Sequence, residues 1–315
     1  MDSTDIRIFC ELAFRDLGYV EFEERHPSAA SLGKKLGLDE KTVRVRVKRM
    51  EDSGFIKYYQ AMPNLSLFGM RVVSVFRFEA LNLSTKNALI NHLHEVPKLV
   101  EFSDYLGPFV TGSIAGSTRE DARSGADYLA SRYEMGISVL GSRAIEEPTA
   151  GIDNLDWQLI KSLRYDARSN DSSLAQRLSV TQRMVGYRVS RLLRSGALST
   201  KAVIDPRKQA GLVFFELELA IDPEKRGAIS SWLAEKYGES LWSLYSPTAD
   251  MVVASLFGFT IAEPEEVAIQ ALKLDGVKRC LLYILKEVIE PKRPNWIDGL
   301  IESKLRLRGK GKAPD

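Results

Sequence analysis

Apolar side chains near the start of the chain fall at Ile6, Ile8, Phe9 and Leu12, and the same rhythm returns at Trp157, Leu159, Ile160 and Leu163. Recurrence at three and four residues puts such side chains on one face of a helix. The run LGKKLGLDEKTVRVRVKRMEDSGFI predicts a short helix over 29–36, a turn at Gly37 and a longer helix entered through Asp39 as N-cap. A period of 3.6 turns Val43, Val47 and Met50 of that longer helix inward and Lys41, Arg44, Val45, Lys48 and Asp52 outward. Its later counterpart turns Val185, Val189 and Leu192 inward and Arg183, Gly186, Tyr187, Ser190 and Arg194 outward. Gly54 and Gly196 stand where a helix closes in the left-handed conformation.

Beyond each such helix the pattern changes to strands. Residues 56–63 and 198–205 predict a wing or connector strand. MRVVSVFRFEA then predicts a strand, 84–96 a helix, 99–105 and 109–116 a hairpin, 118–135 a helix with Thr118 and Asp121 in capping-box spacing, and 137–145 a last strand. The order is βαββαβ, and it returns as LVFFELELAI, a helix from Asp222, strands over 240–245 and 250–257, a helix over 264–274 and a strand over 278–288. In LVFFELELAI, Phe215, Leu217, Leu219 and Ile221 alternate with Glu216 and Glu218, which buries one sheet face and wets the other. A half-wet sheet of this kind usually meets a partner or a ligand.

The chain therefore repeats itself. Residues 32–69 lie over 174–211 without a gap, with Leu32/Leu174, Leu36/Leu178, Val43/Val185, Arg46/Arg188, Val47/Val189, Arg49/Arg191, Ser53/Ser195, Gly54/Gly196 and Gly69/Gly211 matched. The expected division is a helical module over 1–63, an α/β module over 64–148, a second helical module over 149–206, a second α/β module over 207–291 and a basic tail over 292–315. The tail holds Lys304, Arg306, Arg308, Lys310 and Lys312 and reads as a short helix passing into disorder. An insertion over 16–31 reads as a surface loop or small hairpin.

Composition narrows the partners. With 315 residues, 44% hydrophobic and 27% charged, the chain is long enough for two or more cores. No apolar run approaches the roughly 20 residues of a membrane span, and MDSTDIRIF lacks a signal peptide's character, so no membrane partner and a cytoplasmic location are expected. Cys10 and Cys280 form no CxxC pair and read as reduced core residues rather than zinc ligands. A net charge of only +2 means that any nucleic-acid affinity must be local. It is local: residues 32–57 carry eight Lys/Arg against four acids, and 174–201 carry six against none. Cations clustered on a third helix are the footprint of a helix-turn-helix on double-stranded DNA.

LGKKLGLDEKTVRVRVKRMEDSGFI and LDWQLIKSLRYDARSNDSSLAQRLSVTQRMVGYRVSRLLRSGALSTKAVIDPRKQAG resemble the winged helix-turn-helix of the Lrp/AsnC transcription regulators. The α/β module after each of them resembles that family's ferredoxin-like regulatory domain, with Gly136-Ile137 and Gly276-Val277 at the step before its last strand. The resemblance implies an α+β fold of two winged helix-turn-helix domains, each followed by a ferredoxin-like βαββαβ domain, arranged as a pseudo-dimer. It also implies a small effector such as an amino acid, and self-association through the regulatory domains.

The expected DNA-binding residues are Lys41, Thr42, Arg44, Val45, Arg46, Lys48 and Arg49 in the first copy, and Arg183, Met184, Gly186, Tyr187, Arg188, Ser190, Arg191 and Arg194 in the second. Lys41, Thr42, Arg44, Val45 and Lys48 give way to Arg183, Met184, Gly186, Tyr187 and Ser190 on the outward side, so two unlike half-sites are expected. The shared Arg46/Arg188 and Arg49/Arg191 belong to phosphates or to fixing the helix. Gly186 fits either a close approach to DNA or drift. In the family's effector hairpin, roughly Thr-Gly-x-Tyr-Asp, this chain keeps only Asp250, in SPTADMVVAS, and has Pro108 in the first copy. Asp250 is the candidate effector contact, with a simple turn acid as the alternative.

Siroheme decarboxylases share this architecture and rely on His and other polar residues. Here only His26, His92 and His94 occur, and His92 and His94 point about 200° apart on a helix. The expectation is accordingly a regulator without catalytic residues, metal or cofactor, and not an enzyme, with a siroheme-decarboxylase-like enzyme or an effector-sensing module acting through protein partners as the alternatives on the same architecture.

Overall fold

The computed structural model describes residues 1–13, 28–93, 96–209, 211–289 and 291–309. The insertion, up to residue 27, and His26 and His94 lie outside the described residues. The first copy runs α1 (Ser3–Ala13), α2 (Ala29–Leu36), α3 (Glu40–Asp52), β1 (Ile56–Pro63), β2 (Val72–Glu79), α4 (Leu83–His92), β3 (Leu99–Tyr105), β4 (Phe109–Gly116), α5 (Arg119–Arg132) and β5 (Gly136–Ala144). The second repeats it as α6 (Asn154–Leu163), α7 (Asp171–Leu178), α8 (Gln182–Arg194), β6 (Leu198–Ile204), β7 (Val213–Ile221), α9 (Arg226–Tyr237), β8 (Leu241–Tyr245), β9 (Met251–Gly258), α10 (Glu263–Leu272) and β10 (Val277–Ile289). One more helix, α11 (Trp296–Gly309), comes after them.

Two seams join the copies. β1 and β6 pair antiparallel into a two-stranded ribbon, with Tyr59 opposite Ala202 and Ala61 opposite Thr200. The remaining strands form one eight-stranded sheet in the order β5-β2-β4-β3-β10-β7-β9-β8, so that β3 and β10 carry the joint between the two ferredoxin-like halves. Asp104 of β3, almost fully buried, reinforces this joint. It receives Lys86 of α4 at 2.5 Å from its own copy and Lys286 of β10 at 2.8 Å from the other. A pseudo-dimer within one chain is the result.

The helical modules share a single core. Phe9, Phe55 and Phe214 pack together at ring separations of 5.2–6.5 Å, which brings a side chain of the second regulatory half under the first helical module. Helices α4 and α5 cover the apolar face of the first half-sheet, and α9 and α10 that of the second. The apolar side of the alternation read in LVFFELELAI holds, since Phe215, Leu217, Leu219 and Ile221 lie under the helices. The side expected to be wet is covered instead, Glu218 being buried, because the polar faces of the two half-sheets turn toward each other. Arg77 of β2 reaches Glu218 of β7 at 2.5 Å and Tyr283 of β10 at 2.8 Å, and Pro247 packs so tightly on Gly141 of β5 that a Cβ there would overlap the proline. The sheet thus curls back on itself.

A cavity of about 160 Å³ remains between the curled sheet and the ribbon strand β6. Glu216 projects into it, and burial pushes its carboxyl up to about 7, against a lowering hydrogen bond from Ser255. An ordinary glutamate in the unfolded chain ionises near 4.3. Between these values the folded state holds the extra proton, so stability falls as pH rises from about 4.3 to 7 and levels off above. The expected result is a urea midpoint that declines across this window in the native chain and declines less in Glu216→Gln. Equal slopes in the two proteins would show that Glu216 titrates normally.

The tail differs from the reading of a basic segment alone. Ile297 and Ile301 of α11 are buried in the shared core, Asp298 accepts from Arg164 at 3.1 Å and Tyr165 at 2.5 Å, and the Trp296 indole donates to the Leu99 carbonyl at 2.7 Å. The helix therefore clasps α6 and β3, and residues 310–315 lie outside the described residues.

Candidate nucleic-acid interface

Local chemistry starts both candidate reading helices in the same way. Asp39 caps α3 by accepting the Thr42 amide at 2.8 Å, and Thr181 caps α8 by accepting the Met184 amide at 3.2 Å. The Thr42 hydroxyl and amide both bond Asp39, which holds that carboxyl below its ordinary value. At the other ends the chain turns through Gly54 and Gly196, at φ of 75° and 71°. Val43, Val47 and Met50, like Val185, Val189 and Leu192, are buried.

The shared arginines each reach back to an aspartate of their own module, although Arg49 stays exposed. Arg46 donates to Asp2 at 2.7 Å and to Asp5 at 2.9 Å, and Arg49 also bonds Asp5. In the second copy Arg188 donates to Asp153 at 2.6 Å and Asp156 at 2.9 Å, and Arg191 to Asp156 at 2.5 Å. Asp5 and Asp156 are each fully buried. Each aspartate pair is also the capping device of the first helix in its module, Asp2 accepting the Asp5 amide and Asp153 the Asp156 amide. Hydrogen bonds from Arg46 hold the Asp2 carboxyl below its usual range; at Asp153 burial opposes the shift, yet the Arg188 and Asp156 bonds carry it downward. Of the two roles read for these arginines, the geometry matches fixing the helix. Asp2, Asp5, Asp153 and Asp156 escape the sequence reading, although Asp-x-x-Asp ahead of a helix and Arg-x-x-Arg in the third helix recur in both copies.

The outward faces are exposed and unlike. Val45 is 60% exposed and its counterpart Tyr187 64%, the largest apolar surfaces on either helix. Lys41, Arg44 and Lys48 are exposed on α3, where Glu40 meets Arg44 and Asp52 meets Lys48 at 3.0 Å. On α8, Arg183, Met184 and Arg194 are exposed, Ser190 is half-buried, and the helix contains no acid. Gly186 has a neighbour that its sequence did not suggest: a Cβ there would lie 3.0 Å from the Asp171 carboxylate at the start of α7. The first copy's helix is further tied to the second copy, since Glu51 accepts from Arg168 at 2.7 Å and from Tyr59 at 2.8 Å. Asp250, the effector candidate, is exposed in the β8–β9 hairpin and accepts the Thr248 hydroxyl at 2.6 Å, the bond that lowers its pKa. It braces its own turn.

Two winged helix-turn-helix heads on one ribbon, each with an anchored third helix, define a two-headed helix-turn-helix protein. Residues 23–57 match the winged helix-turn-helix DNA-binding family. The HTH-type transcriptional regulator Ptr1 of Methanocaldococcus jannaschii is 29% identical over 116 residues, covering 37% of this chain and 76% of that protein. The crystal structure of the siroheme decarboxylase NirDL is similar over 98% of this chain and 99% of its own, at a TM-score of 0.57 and 12% identity. The same enzyme in co-complex with an iron-uroporphyrin III analogue gives a TM-score of 0.55. The chain thus carries a winged helix-turn-helix DNA-binding motif and shares its tandem fold with that enzyme.

One expectation is overturned by these likenesses. The sequence reads as a regulator and not an enzyme, yet an enzyme shares its architecture from end to end. The reason is physical: the tandem fold supplies two heads and a facing pair of sheets, and catalysis or regulation depends on what those sheets and heads carry.

Proposed function

We propose that this DNA-binding regulator of the Lrp/AsnC type reads double-stranded DNA with α3 and α8, and that the two helices read unlike half-sites. The observation that carries the reading is that the anchors are the same in both copies while the outward faces differ. Lys41, Arg44, Val45 and Lys48 face one half-site, and Arg183, Met184, Tyr187, Ser190 and Arg194 the other. Thr42 and Gly186 lie at the start and middle of these faces, while Arg46, Arg49, Arg188 and Arg191 position the helices on their aspartates. The antiparallel ribbon holds the heads for successive major grooves, about 34 Å apart on B-DNA. A small effector such as an amino acid, and self-association through the regulatory domains, complete the reading; exposed Leu81, Leu83, Phe259 and Ile261 support the latter.

Tetrapyrrole chemistry is less favoured by the cavity. Its volume of about 160 Å³ falls below the roughly 300–1,000 Å³ of pockets for drug-sized ligands, and a tetrapyrrole is at least that large. Selection from a random duplex pool at physiological salt tests the proposal. Two unlike half-sites about one turn apart are the expected product. A perfect palindrome would remove the asymmetry, and DNA affinity unchanged in Arg44→Ala and Arg194→Ala would remove the assignment of the helices.

A further inference from the structure

The DNA reading leaves the space between the two polar sheet faces without a role. Three acids border it or flank it, and they are not alike. Glu218 meets Arg77 at 2.5 Å and Glu101 meets Lys201 at 2.8 Å, whereas Glu216 is met by hydroxyls, with Ser255 donating at 3.2 Å and Tyr105 beside it. Tyr105 and Tyr245 stand in the wall from opposite copies. An apolar filling would leave the buried carboxylate without a counter-charge, and an anion would meet Glu216 with Glu101 and Glu218 close behind. A buried acid met only by hydroxyl groups instead suits an ammonium group, which is attracted by the charge and donates to the carboxylate and to nearby hydroxyl oxygens. The volume is close to that of an engineered cavity of about 150 Å³ that takes benzene.

We propose that this cavity binds a small organic cation, a primary or methylated amine of about six heavy atoms, with its ammonium on Glu216 and its carbon atoms against the walls that include Tyr105 and Tyr245. The site takes no part in DNA contact itself. Its wall includes Lys201 to Ile204 of the ribbon strand β6, which directly follows the α8 head, so an occupant touches both the sheet and the support of one reading helix. In that respect the inference rests on the effector part of the proposed function. The groups facing Glu216 are Glu218 on its own strand, Tyr283 opposite it on β10, Glu101 and Tyr105 on β3, Tyr245 on β8, Ser255 on β9 and Lys201 on β6. Burial raises the Glu216 carboxyl to about 7, so amine binding should weaken as the solution is acidified below that value.

Calorimetry on the full chain without DNA tests the site, with n-butylamine and tetramethylammonium as probes and 1-butanol and butyrate as uncharged and anionic controls. The expected result is saturable one-to-one binding of at least one amine at pH 7.5, at least tenfold tighter than either control. Glu216→Gln should weaken it at least tenfold while its thermal melt stays cooperative. Ser113→Leu, which fills the cavity and leaves Glu216 in place, should do the same. No saturable heat from either amine, equal binding of butanol or butyrate, or unchanged affinity in a folded Glu216→Gln would overturn the assignment and leave a water-filled cavity. Operator affinity is measured separately and without amine, so loss of either reading is visible without the other.

Discussion

Replacing Asp156 with Ala should cost about 3 kcal/mol of unfolding free energy, at the lower end of the range for breaking a buried ion pair. The carboxylate is fully buried and receives both Arg188 and Arg191, whose side chains are 22% and 28% exposed. Its removal takes the buried acceptor from two guanidinium groups, while Asp153 still receives Arg188, the Gly151 carbonyl still receives Arg191, and their partial exposure lets water recover part of the loss. The Asp153 amide, bonded to Asp156 at 2.9 Å, also loses its acceptor. Urea unfolding followed through the tryptophans provides the measurement, since Trp157 sits in the affected helix, and Asp156→Asn should recover part of the deficit. A loss under about 1 kcal/mol, the worth of an exposed pair, would mean that the network is ornament to the fold. Asp5→Ala is its counterpart in the first copy, where Arg46 and Arg49 take the same places.

The second large effect is on DNA. Carrying the outward residues of α8 onto α3, as Lys41→Arg, Thr42→Met, Arg44→Gly, Val45→Tyr and Lys48→Ser, should turn the selected site from two unlike halves into an inverted repeat of the second half. Each good base contact discriminates by about 1–3 kcal/mol, so the original site should bind at least tenfold more weakly to the swapped protein. Because the anchoring arginines stay in place, the swapped helix should remain folded on its aspartates. Selection that returned the original asymmetric site would show that the outward residues do not read bases.

Much of this fold was legible from local repetition. The rhythm of Val43, Val47 and Met50 gave α3, and the alternation in LVFFELELAI gave β7 and its apolar side. These signals survive because side-chain direction is set by the backbone period alone. That its polar side is covered rather than wet was not legible, because Arg77 and Glu218 meet only once β3 has paired with β10 and the sheet has curled. The Asp/Arg anchors were hidden for a related reason. Asp5 and Arg49 are 44 residues apart, and their meeting depends on how α1 crosses α3. Within the candidate interface the outward residues were readable, but the aspartate partners of Arg46, Arg49, Arg188 and Arg191 were not. The tail was read by its cations, while Ile297, Ile301 and Asp298 decide where α11 sits.

The covalent joining of the two heads has a consequence for dosage. A dimer assembled from separate subunits loses its second head on dilution, and its occupancy then drops more steeply than its concentration. Here the second head is always present at the high effective concentration of an intramolecular partner, held by the β1–β6 ribbon and the β3–β10 seam. Pairing of the two heads should therefore be independent of the amount of protein. A substitution in one reading helix also appears once per molecule rather than twice, so either half of a binding site can drift while the other is kept.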